Sequence, residues 1–473
     1  MDHSKMSQFW AMNIGEVSRL IHAREISPIE LIESHLERIE TTEGRLNSFI
    51  TVLADEATEL AIEATQDVSN GRELGPLHGI PIGLKDLYDT AGTTTTVGSQ
   101  IYRDRIPGSD ATVVTKLRKA GAIIIGKLQM HEFALGATSV NPHYGPARNP
   151  WDLSRITGGS SGGSGSSVAS GQCMGALGTD TGGSIRIPAG LCGIVGLKPT
   201  FGRVSRHGVF PLSWTMDTVG PMTRTVEDSA TLLSAMAGFD PLDPGSANVP
   251  MEDFAANMGK DVSKMKIGVP QEYFYDIISE EVAGAVQAAQ EVFLGLGAKV
   301  ESVSIPSLTH SLAISGTIML AEAASVHEEN LKERASQIGD DVRLRLTQGA
   351  LLSASDYLKA QRARTEFNKQ VNQILQQFDV LLSPTIAVGA PKIDEKTVLV
   401  NEAEHPALAL MPRLTRPHNI CGIPTISIPC GFTREGMPIG LQLAGRAFAE
   451  KDIIQAAYAY ENATNWSTVR PQL

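Results

Sequence analysis

Only four cysteines occur in 473 residues, and Cys173, Cys192, Cys421 and Cys430 make neither a CxxC pair nor a dense framework. That excludes a disulfide-stapled scaffold and leads to the expectation of reduced thiols in a cytoplasmic protein. No run of Lys or Arg is present and the net charge is −12, so neither nucleic acid nor an anionic membrane surface is expected as a partner. The longest apolar runs, such as AIII and VLL, fall far short of the roughly 20 residues a bilayer span needs. The opening "MDHSKMSQFWAMNIGEVSRL" lacks the basic-then-apolar order of a secretory signal. The eleven histidines include no HxH or HExxH spacing, so no metal site is expected. No fixed-period repeat occurs either.

What is present reads as α/β along the whole length. In "SPIELIESHLERIE", Ser27 caps, Pro28 suits the first helical position, and Ile29, Leu31, Ile32 and Leu36 form an apolar stripe. This makes residues 1–70 an N-terminal helical segment. "GIPIGLKD" reads as a short strand that delivers Lys85 and Asp86, and "DATVVTKLRKAGAIIIGKLQ" as helix, Gly121 turn and strand. "TVEDSATLLSAMAG" is a capped helix, "SEEVAGAVQAAQEVFLGLGAKVESVSIP" a helix, turn and strand, and "DVLLSPTIAV", "TISIPCGF" and "GLQLAGR" are strands.

Two motifs mislead. "GAIIIGKL" fits GxxxxGK, but Leu128 stands where a phosphate loop needs Ser or Thr. Gly159 to Gly163 fits GxSxG, but an elbow of that kind runs into a helix, and ten consecutive Gly and Ser residues (158–167) are poor helix formers. Composition alone favours a flexible linker for the ten-residue run, but with the motifs that follow it reads instead as a backbone-shaped catalytic loop. The first of these is a second glycine-rich stretch, "GTDTGGSIRIPAG". Gly182 and Gly183 let successive N–H groups converge beside Ser184, an anion-binding nest next to a nucleophile. A serine needs a base, and Lys85 lies in the apolar "GIPIGLKDLY", where burial would favour its neutral form. Lowering a lysine from about 10.4 to near 7.4 costs about 4 kcal/mol, which a large fold can supply. The plainer alternatives are a surface turn at Ser184 and an ion pair between Lys85 and Asp86.

Together, "GGSSGGS" at 158–164, "GTDTGGSIRIPAGLCGIVGLKPTFGRVS" at 178–205, "GIPIGLKD", "GIPTISIPCG" and "PIGLQLAG" resemble the amidase signature family from about residue 15 to 465. Lys85 precedes Ser160 by 75 positions and Ser184 by 99, the family's offsets. The resemblance implies one large domain over 1–473, a central mixed twisted β-sheet with helices on both faces. Within it, 75–240 is the catalytic core, 241–400 a more variable and largely helical substrate side, and 401–473 returning strands and a C-terminal helix. It further implies Ser184 as nucleophile, Ser160 as proton shuttle behind a cis Gly159–Ser160 bond, and Lys85 as base. The N–H groups of Thr181, Gly182, Gly183 and Ser184 would form the oxyanion hole, with Ser161, Asp180 and Arg186 in support and no metal or organic cofactor.

Two readings of the substrate compete. The glutaminase subunit of a tRNA-dependent amidotransferase shares the motifs, works inside a complex and passes ammonia to a partner. Arg345 matches that subunit's glutamine-binding arginine, but Pro412 stands where it uses an aspartate, which argues against glutamine. The chain ends at Leu473, soon after the last motif, with no apolar N-terminal helix. The leading expectation is therefore a free-standing amidase, also a homodimer by family resemblance, with a small-molecule amide or carbamate as substrate. Met130, Phe133, Phe210 and Trp214 would then line an apolar pocket for aryl or alkyl amides, anilides or carbamates, with esterase or urethanase activity. The alternatives outside this class are a Ser-His-Asp hydrolase and a binding subunit without catalytic activity.

Overall fold

The computed structural model describes residues 9–72 and 74–473. Eleven strands build one sheet: β1 (Phe49–Val52), β2 (Pro81–Lys85), β3 (Ile123–Leu128), β4 (Gly175–Asp180), β5 (Val195–Lys198), β6 (Thr218–Thr223), β7 (Lys266–Pro270), β8 (Lys299–Val303), β9 (Val380–Pro384), β10 (Thr425–Phe432) and β11 (Pro438–Gly445). Their spatial order is β1-β3-β2-β4-β6-β5-β10-β11-β9-β7-β8. β3, β2 and β4 run parallel, as do β9, β7 and β8, and the strands between these groups pair antiparallel. The sheet is thus mixed and flanked by helices, as expected. β2 and β3 are buried at every position, the pattern of strands covered on both faces.

The helices begin where local chemistry says they should. In α1 (Pro28–Leu46), Ser27 accepts from the Glu30 N–H while Glu30 reaches back to the Ser27 N–H. α2 (Thr112–Lys119) is followed by Gly121 at φ +91°, where a Cβ would come within 2.7 Å of the His78 Cα. Two departures concern the first half. Residues 1–70 are not wholly helical, because "FITV" forms β1 and closes one edge of the sheet against β3; residues 1–8 lie outside the described residues. The Gly/Ser run, expected as a catalytic loop, is helical over most of its length. From Gly162 to Ser170 it forms α3, a helix buried along its whole length.

The propensity penalty of α3 is overridden by packing. A methyl group on Gly163 would lie 2.3 Å from the Ser48 carbonyl oxygen, and one on Gly162 would lie 2.3 Å from Thr157 Oγ1. Glycine here serves close approach rather than flexibility. The serines satisfy themselves internally, with Ser164 Oγ donating to Leu177 O at 3.0 Å. Next come the short α4 (Arg186–Cys192), then α5 (Val226–Met236), α6 (Glu280–Gly295), α7 (Ser311–Val326), α8 (Asp340–Ala350) and the short α9 (Arg416–Cys421). α4 leaves the sheet just after β4 and packs against β5, β10 and β11. Parallel pairing sets the carboxyl ends of β2 and β4 side by side, Leu84 opposite Leu177. In open α/β sheets such ends are where ligands meet the chain.

Candidate active site

Lys85 is the last residue of β2, and Thr179 lies near the end of the neighbouring β4. Lys85 Nζ donates to Ser160 Oγ at 2.7 Å and to Thr179 Oγ1 at 2.8 Å, with no exposed surface. Burial pushes its pKa down to about 7, against the opposing charges of Asp217 and Asp180. Asp86 does not pair with it; that carboxylate lies 3.2 Å from Lys127 and accepts from Thr96 at 2.8 Å. Ser160 follows a cis peptide bond from Gly159, and its carbonyl accepts from the His131 N–H at 3.1 Å. A Cβ on Gly159 would stand 2.7 Å from the Ser139 nitrogen, so close packing also demands glycine there.

The loop after β4 carries Thr181, Gly182, Gly183 and Ser184. Thr415 Oγ1 donates to the Gly182 carbonyl at 2.6 Å, and Thr181 Oγ1 donates to Asp217 at 2.5 Å. Gly183 lies at φ +125°, where a Cβ would fall 2.0 Å from Thr415 Oγ1. Of the four expected oxyanion donors, Gly183 is already committed, because its N–H donates to Asp180 at 2.8 Å. The N–H groups of Thr181, Gly182 and Ser184 carry no such bond among the described residues. Nor is there a hydrogen bond between Ser184 and Ser160, a contact that in free enzymes often closes only with substrate.

Asp180 and Arg186 form the hub beneath this loop. Arg186 Nε and Nη2 each donate to the Asp180 carboxylate at 3.0 Å, and Asn419 Nδ2 adds a bond at 2.7 Å. Burial alone would raise the Asp180 pKa, but the Arg186 guanidinium overcomes it and holds the carboxyl at about 2. Arg186 also donates to Thr415 O at 3.0 Å, Gln442 at 2.9 Å and Asn419 at 2.7 Å. Ser161 Oγ donates to Thr179 O at 3.4 Å. Asn419, Gln442, Thr415, Thr179 and Asp217 escaped the sequence reading. Asn419, Gln442 and Thr179 lie within or beside quoted motifs, but only the fold carries Asn419 and Gln442 more than 230 positions back to Arg186.

A cavity of about 430 Å³ opens over Ser184, Thr181 and Gly182, walled by Met319 and Leu320 of α7, Arg345 and Gln348 of α8, and Pro412 and Arg416. Arg345 is among the residues lining this cavity. The other four expected pocket residues do not line this cavity. Met130 and Phe133 are core, the Phe133 ring lying 4.1 Å from that of His327 and 6.4 Å from that of Phe210. Phe210 and Trp214 border an adjoining hollow with Asp217 and Val219, which shares Ala134 and Leu212 with the first, and Trp214 is 56% exposed. No histidine lines the Ser184 cavity, and no group of three or more metal-binding side chains occurs among the described residues.

A serine beside an anion-binding loop, with a buried neutral-leaning lysine behind a second serine, defines a hydrolase of carbon–nitrogen amide bonds. The chain belongs to the amidase family, the amidase signature enzymes, whose profile matches residues 30–454. It is 40% identical to the A-type subunit of the glutamyl-tRNA(Gln) amidotransferase of Geobacter sp. (strain M21), over 97% of this chain and 98% of that protein. A solved structure from a vestigial protein complex bearing on the origins of an s-triazine catabolic enzyme superposes with a TM-score of 0.93 at 36% identity, covering 98% of this chain and all of that one. The A-type subunit of the Thermotoga maritima glutamyl-tRNA(Gln) amidotransferase gives 0.81 at 36% identity, covering 97% and 96%.

These relatives correct the leading sequence expectation. Near full-length similarity to subunits named for a tRNA-dependent reaction overturns both a free-standing aryl or alkyl amidase and the exclusion of any nucleic-acid connection. The charge argument failed for a physical reason. A net charge of −12 speaks to whether this surface grips a polyanion, and not to what an assembly containing it handles. No helix among the described residues is long and apolar enough to cross a membrane.

Proposed function

We propose that this chain is the amide-cleaving subunit of an amidotransferase of the tRNA-dependent kind, releasing ammonia from a donor amide for use by a partner protein. The observation that carries this is the 39–40% identity to A-type subunits of glutamyl-tRNA(Gln) amidotransferases over nearly the whole of both chains. In this mechanism neutral Lys85 takes a proton from Ser160 as Ser160 takes one from Ser184, and Ser184 Oγ attacks the amide carbon. The N–H groups of Thr181, Gly182 and Ser184 stabilise the oxyanion. Ser160 returns the proton to the departing nitrogen, ammonia leaves, and water hydrolyses the acyl-enzyme by the same relay in reverse. Asp180 and Arg186 act as positioning residues, since they hold the loop and do not reach the reacting atoms. The acidic surface leaves the tRNA to a partner.

The test is reconstitution with glutamyl-tRNA and a candidate partner protein, with Ser184→Ala as control. Ser184-dependent amidation of the tRNA is expected. Rapid amide hydrolysis by the chain alone, with no transfer to tRNA in the presence of the partner, would sink the proposal.

A further inference from the structure

The antiparallel pairing of β4 with β6 sets Val219 opposite Thr179 and Thr218 opposite Asp180, so Asp217 and Thr181 meet one step beyond the ladder. There Thr181 Oγ1 donates to Asp217 at 2.5 Å, and the Leu212 and Ser213 N–H groups donate to its oxygens at 2.8 and 3.0 Å. Each of these bonds is donated to the carboxyl group, the pattern of an anion. Burial pushes its pKa up, while the bonds and the charge of Arg206 oppose that. Arg206 itself pairs with Asp243 at 3.0 Å. Asp217 and Thr179 line one hollow, and Thr179 accepts from Lys85 Nζ at 2.8 Å.

Attack by Ser184 creates two charges. As the new C–O bond forms, the carbonyl electron pair moves onto oxygen and the Ser184 proton passes by way of Ser160 to Lys85 Nζ. The site must then hold an oxyanion and a buried ammonium, and a buried ammonium without a counter-charge is costly. The other acids nearby are already paired. Asp86 lies 3.2 Å from Lys127, Asp180 is bound by Arg186 at 3.0 Å, and Asp341 by His131 at 3.0 Å. Among the described residues, the Asp217 carboxylate is bonded only to the neutral donors of Thr181, Leu212 and Ser213. Its charge also favours a protonated Lys85 more than that of Asp180 does. We propose that Asp217 is a positioning residue for amide cleavage: it is the counter-charge for the ammonium that forms on Lys85, and through Thr181 it anchors the oxyanion loop. This rests on the proposed cleavage at Ser184 and deepens it.

The experiment follows the rate at which a fluorophosphonate labels Ser184 of the full-length chain as pH is varied, with Ser184→Ala as blank. Ser184 Oγ bonds to phosphorus, fluoride leaves and Lys85 receives the proton, so the midpoint of the profile reads the basicity of Lys85 whatever the natural donor. The unsubstituted chain should show a midpoint at about 7. Asp217→Asn should lower the midpoint by about one pH unit and the plateau by about tenfold, because a less basic lysine is a weaker proton acceptor. Asp217→Glu, which restores the charge, should return the midpoint. Thr181→Val removes the hydroxyl and keeps the charge, so its plateau should fall at least about tenfold with the midpoint unmoved. The inference is overturned if Ser184 is not labelled, if Asp217→Asn leaves the midpoint in place, or if Thr181→Val shifts it or leaves the plateau unchanged. The Thr181→Val arm decides even where Asp217→Asn does not fold. Failure of the amide-cleavage reading shows differently: labelling follows this pattern, but the chain, with or without its partner protein, releases no ammonia from L-glutamine.

Discussion

Lys85 and Arg186 are both buried basic side chains, and they behave oppositely because of what faces them. Lys85 has hydroxyls as neighbours, so burial lowers its pKa to about 7 and leaves a base at neutral pH. Amide hydrolysis should therefore fall as pH drops through about 7, which a pH profile of kcat/KM with any cleaved donor would check. The same shift bears on stability. Between about 7 and 10.5 the unfolded chain binds the Lys85 proton and the folded chain does not, so stability rises with pH across that window. Lys85→Met should abolish activity yet raise the melting temperature at pH 7, with the gain shrinking toward pH 10. An unchanged or lower melting temperature would contradict the assigned burial cost. Arg186, by contrast, has Asp180 in a two-pronged pair. Arg186→Met leaves that carboxylate buried alone, and a loss of about 3–5 kcal/mol in denaturant unfolding is expected.

At the scale of elements, the loop 181–184 and helix α3 show glycine used for proximity. Gly183→Ala would place a methyl on Thr415 at a backbone angle L-residues avoid. The hydroxyl that braces Gly182 would be displaced, so the variant should lose activity by about 10²–10³, the usual effect of one disturbed oxyanion donor, with a smaller change in melting temperature. Gly163→Ala is the structural counterpart. Its methyl meets the backbone oxygens of Ser48 and Gln129 at 2.3 and 2.5 Å, which belong to separate segments and cannot rotate away. Destabilisation of about 1–3 kcal/mol by overpacking is expected in thermal unfolding. Neither outcome is expected of a flexible linker, where both substitutions would be silent.

For the whole molecule, net charge and assembly pull in different directions. With 52 acidic against 40 basic residues, the chain alone should give no mobility shift with tRNA at physiological salt, whereas the reconstituted assembly should. Tight binding by the isolated chain would mean that the charge is arranged far more unevenly than its total suggests.

Much of this was legible in one dimension. Capped helices such as α1, the buried runs of β2 and β3, and the spacing of Lys85, Ser160 and Ser184 are local signals, because hydrogen-bond capping, apolar periodicity and motif offsets need only near neighbours along the chain. The identity of the Gly/Ser run was not legible by propensity, since α3 is helical only because other segments surround it. The cavity wall is not legible from residue type for a related reason. Met130, Phe133, Phe210 and Trp214 are large and apolar but do not line it, while its wall comes from α7, α8 and the stretch before α9. Lys85 becomes a base, and Arg186 a hub tied to Asp180, only once the folded chain has removed water from around them; the residue types were in the sequence, but their charge environment belongs to the tertiary structure.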